Sequence, residues 1–188
     1  MKSSRVALRS PAEIAQAREA GHLAARVLHM ITPHVQPGVS TDALDRLCHD
    51  YIVNELQVTP ANVGYLGYPK TVCTSVNHVI CHGIPSPGQV LKSGDIINID
   101  VAIIKDGWFG DTSRMYFVGE PSPLARRLVD TTYEAMCAGI AQVRPGATLG
   151  DVGHAIQSVA HRERFSVVRE YCGHGIGQIY HDEPQVLH

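Results

Sequence analysis

The pattern of apolar and polar positions predicts two helices in the first third of the chain. Ser10, Pro11 and Glu13 form a capping-box start for the first helix. Apolar residues then recur at helical spacing until Pro33 ends it. After a V-x-P-G turn at 35–38, a second helix is predicted from about Ser40 to about 56.

The same arrangement recurs 108 residues later, around a second V-x-P-G turn at 143–146. A helix is predicted before it, from about 124 to 143, and another after it, from about 149 to 161. The core candidates of the earlier helix are Leu128, Tyr133, Met136 and Ile140. This repeat favours duplication of a helix-helix-strands unit over a solenoid. It predicts one domain over 1–188, with halves at about 10–120 and 121–188, a pseudo-twofold axis and a cleft between them.

Short strands and turns occupy the middle of the chain. A strand is predicted over 71–79, leading to a loop that can present His82 to a cleft. The next predicted strand, around Asp100, is otherwise apolar and β-branched over 96–104. It ends at an Asp-Gly pair, Asp106 and Gly107, which is typical of a two-residue hairpin turn. That turn places Asp111 opposite Ala102, on the same face of the sheet as Asp100.

Two carboxylates on one face of an apolar hairpin need a physical explanation. An ionised carboxylate in an apolar interior costs several kcal/mol unless it is paired. The hairpin strands carry no basic residue beside Asp100 and Asp111, so a bound divalent cation is one explanation. The alternative is that Asp100 is a protonated or hydrogen-bonded core residue and Asp111 a turn former. A slip of one residue in the turn would place Asp100 and Asp111 on opposite faces of the sheet.

Composition excludes several classes of protein. The 188 residues are 44% hydrophobic and 18% charged, with 16 basic and 18 acidic side chains, which indicates a globular domain without an electrostatic footprint for nucleic acid or membranes. Five cysteines without a C-x-x-C pair favour free thiols in a reducing compartment. The N-terminal stretch lacks the apolar segment of a signal peptide. We therefore expect a cytoplasmic protein.

A glycine-rich segment near the end of the chain supplies further candidate ligands. His174 lies between two glycines, and His181 follows within Y-H-D-E-P-Q. The glycines disfavour a helix and allow close approach of backbone or ligand. The glycine spacing does not match either phosphate-binding pattern. The alternative for His174 is an ordinary core histidine.

Several of these motifs together resemble the type I methionine aminopeptidases of bacteria. They are Asp100 and Asp111 eleven residues apart, N-H-V-I-C-H-G-I-P at 77–85, C-G-H-G-I-G at 172–177, and Y-H-D-E-P-Q at 180–185. The resemblance implies an α+β, pita-bread fold, in which two pseudo-symmetric helix-helix-strand halves surround an antiparallel sheet. It also implies removal of the initiator methionine from nascent proteins with a small second residue.

The resemblance further implies a role for each matching position. Asp100 would chelate one of two divalent ions (Co, Mn, Fe or Zn), Asp111 would bridge both, and His174 would bind the other. His181 would contact the scissile carbonyl oxygen, and His82 the peptide backbone beside the scissile bond. The side-chain pocket for methionine would be lined by Tyr65, Tyr68, Cys73 and Tyr180. Asn62 and Leu66 depart from the commonest enterobacterial pattern, which has a cysteine at the first position and a histidine at the second. The resemblance therefore does not determine the shape of the methionine pocket.

The family pattern also contains two glutamate ligands, one of them the expected general base, downstream of Y-H-D-E-P-Q. The internal repeat agrees, because the counterpart of Asp100 would fall near position 208, beyond His188. We therefore expect a fragment or a shortened relative whose second half is incomplete, unstable alone or in need of a partner. Activity of these 188 residues by themselves is not expected without those ligands.

Three functions remain open on sequence grounds. The first is a metallo-aminopeptidase that acts on N-terminal Met peptides. It would be monomeric at full length, with the ribosome as a candidate docking partner and with neither a membrane nor a direct nucleic-acid partner. The second is a non-catalytic pita-bread relative that binds a nascent chain or the ribosome. The third is another dinuclear hydrolase of this fold, such as a prolidase-like enzyme.

Overall fold

The computed structural model describes residues 6–188, so the first five residues of the stretch checked for a signal peptide lie outside it. Two compact units are present. The hairpin unit comprises Leu8–Pro121 together with Gly177–Ile179. The C-terminal unit comprises Ser122–Ile176 and Tyr180–His188, with Val6 and Ala7. Among residues 6–188, the helices are too short or too polar to cross a lipid bilayer.

Helix α1 (Pro11–Ile31) begins at the predicted capping box, which is confirmed because Ser10 and Glu13 exchange side-chain and backbone hydrogen bonds. Helix α2 (Thr41–Asp50) is capped by Ser40, as predicted, but its last turn, Tyr51–Glu55, is π-helical. The two helices therefore form the predicted pair around the first V-x-P-G turn.

An antiparallel sheet forms the rest of the hairpin unit. Its strands are β1 (Thr59–Pro60), β2 (Val72–Val76), β3 (Ile96–Lys105) and β4 (Trp108–Phe117), and β3 pairs with the other three. Strand β2 is shorter than predicted because Asn77 turns the chain with a φ of +53°. The predicted hairpin register is confirmed, since Lys105 pairs with Trp108 at the turn.

Helix α1 packs on one face of this sheet and buries the core. The inward side chains of β3 on that face are Ile97, Ile99, Val101 and Ile103, all fully buried. A Cβ atom at Gly110 would collide with the backbone carbonyl of Ala20, so β4 approaches α1 more closely than any side chain allows. The opposite face carries Asp100 and is called the carboxylate face below.

The C-terminal unit contains helix α3 (Pro123–Ala141), helix α4 (Leu149–Arg162) and a short ladder of β5 (Gly173–Gly175) with β6 (Asp182–Val186). The turn between α3 and α4 repeats the earlier one: Gly146 has a φ of +89° and Gly38 a φ of +90°. Both turns use a conformation that favours glycine. The predicted repetition of helix, turn and helix is confirmed, as is the α+β class.

The core assignment for α3 was wrong. Its buried residues are the small side chains Thr131, Ala135 and Gly139, which pack against α4. The four predicted core residues remain 40–66% exposed: Leu128, Tyr133, Met136 and Ile140. Helical spacing shows which residues share a face, but not which of two apolar faces a neighbouring element covers.

Candidate active site

The carboxylate face brings the two predicted aspartates together. Asp111 pairs with Ala102, and Asp100 pairs with Ser113 on the neighbouring strand. A hydrogen bond joins the two carboxyl groups. Burial raises the pKa of Asp100 to about 7, with further contributions from the negative charge of Asp111 and from that hydrogen bond. The two groups therefore resist carrying two negative charges together at neutral pH without a cation.

A divalent ion fits this pair on chemical grounds. Two carboxyl groups close enough to share a proton offer several oxygen ligands to one or two cations. Beside them, Asn98 donates its side-chain amide to Ser113 Oγ at 3.2 Å, which gives the carboxylate face more polar character than the core face. Among residues 6–188, the structure brings together no group of three or more His, Cys, Asp or Glu side chains that could hold a metal ion.

Strand β2 contributes Cys73, which pairs with Asp100 across the sheet. Burial is the main cause that raises the pKa of the Cys73 thiol to about 11. The thiol therefore stays protonated at neutral pH, unlike a reactive cysteine. It also contacts the hydroxyl of Tyr68, whose pKa is raised chiefly by burial.

The loop before β2 holds the other predicted pocket residues of this unit. Tyr65 begins a short 3₁₀ turn, and Tyr68 follows it, partly buried. Asn62 is buried and donates its amide to the carbonyl oxygen of Thr71 at 3.1 Å. Leu66 is 92% exposed, with a φ of +49°. Of the two atypical positions, Asn62 thus supports the loop from inside, whereas Leu66 points to solvent.

His82 lies on an exposed loop that is tightly held at the next residue. Its φ is +57°, in the left-handed region that side chains seldom adopt. The following residue, Gly83, donates its N–H to Ser75 Oγ at 3.2 Å, and its carbonyl oxygen accepts from Thr74 N–H at 2.8 Å. The sequence prediction that this loop presents His82 is consistent with its exposure.

Both remaining histidines lie in the C-terminal unit. His174 is in β5, which confirms that the glycine-flanked segment is not helical. Its ring centroid is 4.5 Å from that of His181, and the ring of Tyr180 stacks on His181 at 4.3 Å. His174 Nδ1 is 2.9 Å from the carbonyl oxygen of Gly175. A carbonyl oxygen only accepts hydrogen bonds, so Nδ1 carries the proton in this contact. The lone pair is then on Nε2, the nitrogen that coordinates the metal in many metal-bound histidines.

The structure thus groups the predicted residues in two sets. The hairpin unit holds Asp100, Asp111, His82, Tyr65, Tyr68 and Cys73, and the C-terminal unit holds His174, Tyr180 and His181. The facing pair of aspartates is confirmed as a structural prediction. The roles of all nine residues in metal or substrate binding stay predictions.

Sequence reasoning missed Ser75 as a member of this region. Ser75 is 3% exposed and lies two residues after Cys73, so strand alternation places both on the carboxylate face. The available signal was the position of Ser75 two residues after Cys73, within the strand predicted over 71–79. Its partner, the N–H of Gly83, could not be identified from the sequence.

Comparison with known proteins gives consistent matches along nearly the whole chain. The profile of metallopeptidase family M24 matches residues 15–188. The methionine aminopeptidase of Escherichia coli strain K12 is 55% identical over 183 residues, which are 97% of this chain and 69% of that protein. The crystal structure of methionine aminopeptidase from Rickettsia prowazekii superposes with a TM-score of 0.95 at 51% identity, covering 97% of this chain and 73% of that one.

A more distant structural relative shows the fold alone. The X-Pro aminopeptidase of Thermotoga maritima matches with a TM-score of 0.77 at 19% identity, covering 96% of this chain and 49% of that one. Together with the closer structure, this match confirms the predicted pita-bread fold.

Proposed function

Because the chain belongs to metallopeptidase family M24, we propose that it is a methionine aminopeptidase, which hydrolyses the peptide bond after an N-terminal methionine. The observation that carries this proposal is the acid pair of Asp100 and Asp111 on an apolar sheet. Such a pair is costly in a protein that only binds a partner, and it is useful in one that holds cations.

The family uses divalent metal ions, and we propose that this protein holds two of them. Asp100, Asp111 and His174 would hold the ions: Asp100 would chelate one, Asp111 would be shared by both, and His174 would bind the other. Co, Mn, Fe and Zn all suit such a mixed set of carboxylate and imidazole ligands. When bound, the ions supply Lewis acidity, which polarises the scissile carbonyl and makes water a better nucleophile at neutral pH.

The other residues orient the substrate. His181 donates a hydrogen bond to the scissile carbonyl oxygen, where negative charge develops in the transition state. The stacking of Tyr180 on His181 restricts the imidazole ring that makes this contact. His82 contacts the backbone of the peptide beside the scissile bond. The side chain of the N-terminal methionine lies among Tyr65, Tyr68, Cys73 and Tyr180, where the protonated thiol and the aromatic rings suit a thioether.

The proposed substrates are the N-termini of new proteins whose second residue is small. We propose that residues 1–188 belong to one catalytic domain and that the full-length protein acts as a monomer in the cytoplasm, with the ribosome as its candidate docking partner. A balanced charge of 16 basic and 18 acidic side chains favours neither nucleic acid nor an anionic membrane as partner.

The experiment that tests this function measures release of methionine from Met-Ala-Ser in the presence of Mn²⁺ or Co²⁺, with the intact mass of the same preparation determined. The parent protein in this assay includes the segment downstream of Y-H-D-E-P-Q in which the two glutamate ligands are expected. We expect turnover by this parent and by the exposed-site control Asp130→Asn, and loss of turnover in Asp100→Asn with Asp111→Asn. Faster cleavage of X-Pro peptides than of Met-Ala-Ser would favour a prolidase-like enzyme. No turnover of either peptide, together with no metal binding, would favour the non-catalytic relative.

A further inference from the structure

The backbone of His82 needs support from its surroundings. A non-glycine residue at a φ of +57° is strained by about 1–3 kcal/mol relative to an ordinary conformation. The residue that follows His82 in the loop, Gly83, is held closely against strand β2.

Gly83 supplies that support through every polar atom of its backbone. Its N–H donates to Ser75 Oγ at 3.2 Å. Its carbonyl oxygen accepts from Thr74 N–H at 2.8 Å and from the Tyr68 hydroxyl at 3.0 Å. A Cβ atom at Gly83 would collide with the carbonyl oxygen of Thr74, so the loop lies directly against β2.

Tyr68 connects this loop to the carboxylate face. Its hydroxyl also lies 3.1 Å from the carbonyl oxygen of Val72 and contacts the thiol of Cys73, which pairs with Asp100. Ser75 belongs to the same strand and is almost completely buried. The hydroxyl groups of Ser75 and Tyr68 thus bind the two peptide groups on either side of the Gly83 Cα atom.

The geometry points to Ser75 and Tyr68 as positioning residues that hold His82 in place through the backbone of Gly83. For Tyr68 this role is additional to lining the methionine pocket. The inference rests on the proposed function, in which His82 contacts the substrate backbone. It explains why a left-handed histidine precedes a glycine that has no room for a side chain.

The test is a set of double-mutant cycles on release of methionine from Met-Ala-Ser. We expect Ser75→Ala and Tyr68→Phe each to lower kcat/KM by roughly 10-fold to 100-fold, because small misplacement of a substrate contact is costly. In a His82→Ala background the same substitutions should have much smaller effects, because they act through His82. If Ser75→Ala and Tyr68→Phe lower kcat/KM in the His82→Ala background by the same factors as in the parent, the inference is overturned.

Matched controls separate positioning from loss of a hydroxyl. Tyr116 donates its hydroxyl to the carbonyl oxygen of Leu28 at 2.8 Å, and Ser40 Oγ accepts from Ala43 N–H at 3.2 Å, both away from the His82 loop. The coupling between His82→Ala and each control, Tyr116→Phe or Ser40→Ala, should be near zero, even where the control changes the stability of the protein. Equal coupling for controls and test variants would contradict the inference.

A second measurement does not depend on turnover. Amide hydrogen exchange of Gly83, followed by NMR, should be faster in Ser75→Ala than in the parent and unchanged in Ser40→Ala, and the His82 ring signals should shift only in the former. If the parent releases no methionine, the proposed function fails, and this measurement still decides the positioning claim. Unchanged Gly83 exchange and unchanged His82 signals in Ser75→Ala would overturn it.

Discussion

Asp111 lies directly opposite Ala102 in the β3–β4 hairpin, and this pairing puts its carboxyl group beside that of Asp100. The register follows from the two-residue turn at Asp106 and Gly107, both of which have positive φ. A shift of one residue would send Asp111 to the α1 side of the sheet. The turn chemistry therefore determines whether the acid pair exists.

The close approach of β4 to α1 predicts a large effect of Gly110→Ala. A methyl group there would collide with the backbone of Ala20, so we expect a fall of roughly 1–3 kcal/mol or more in the free energy of unfolding. The matched control is Gly21→Ala in α1, where a Cβ meets nothing within 4 Å. Chemical denaturation should show Gly21→Ala neutral or stabilising by about 0.5–1 kcal/mol. Equal effects at both glycines would contradict this packing.

Asp45 predicts a pH-dependent stability. It is 5% exposed and accepts hydrogen bonds from the N–H groups of Thr71 and Val72 at 2.8 and 2.9 Å. Burial outweighs these bonds and raises the pKa of Asp45. The folded state then holds the proton more tightly than the unfolded state, so stability falls as the pH rises from about 4 toward the raised pKa.

Asp45→Asn should remove that pH dependence, because an amide oxygen can accept the same two bonds. We expect the variant to gain stability relative to the parent as the pH rises from about 4 to 7. Thermal unfolding across this range measures the effect, and Asp50→Asn at an exposed position of α2 is the control. A parent that becomes more stable relative to Asp45→Asn over the same range would refute the predicted sign.

His181 predicts a kinetic effect. If it donates to the developing oxyanion, His181→Ala should lower kcat on Met-Ala-Ser by roughly 10²–10³-fold and change KM little. The control is His161→Ala, on an exposed position of α4. Steady-state kinetics that show only a higher KM for His181→Ala would instead assign it to ground-state binding.

Local signals in the sequence accounted for much of the fold. The capping box at Ser10 and Glu13, the serine cap at Ser40 and the Asp-Gly turn each specify a boundary through contacts within a few residues. The hairpin turn also determined which residues face each other, so the acid pair could be predicted without any tertiary information.

Contacts between distant segments could not be predicted in the same way. The bond from Tyr68 to Gly83 joins residues whose separation follows no periodicity. The exposure of Met136 and Tyr133 depends on which face of α3 a neighbour covers, and α4 covers the face with the smallest side chains. Such choices are made by tertiary packing, which local patterns do not encode.

The most direct test of the central claim is a calorimetric titration of Mn²⁺ or Co²⁺ into metal-free protein at pH 7.5. If the acid pair exists to hold cations, Asp100→Asn and Asp111→Asn should each weaken binding by at least about tenfold, or roughly 1.4 kcal/mol. The exposed control Asp130→Asn should bind as the parent does. A double variant of Asp100 and Asp111 that keeps the parent's stoichiometry and affinity would contradict the account.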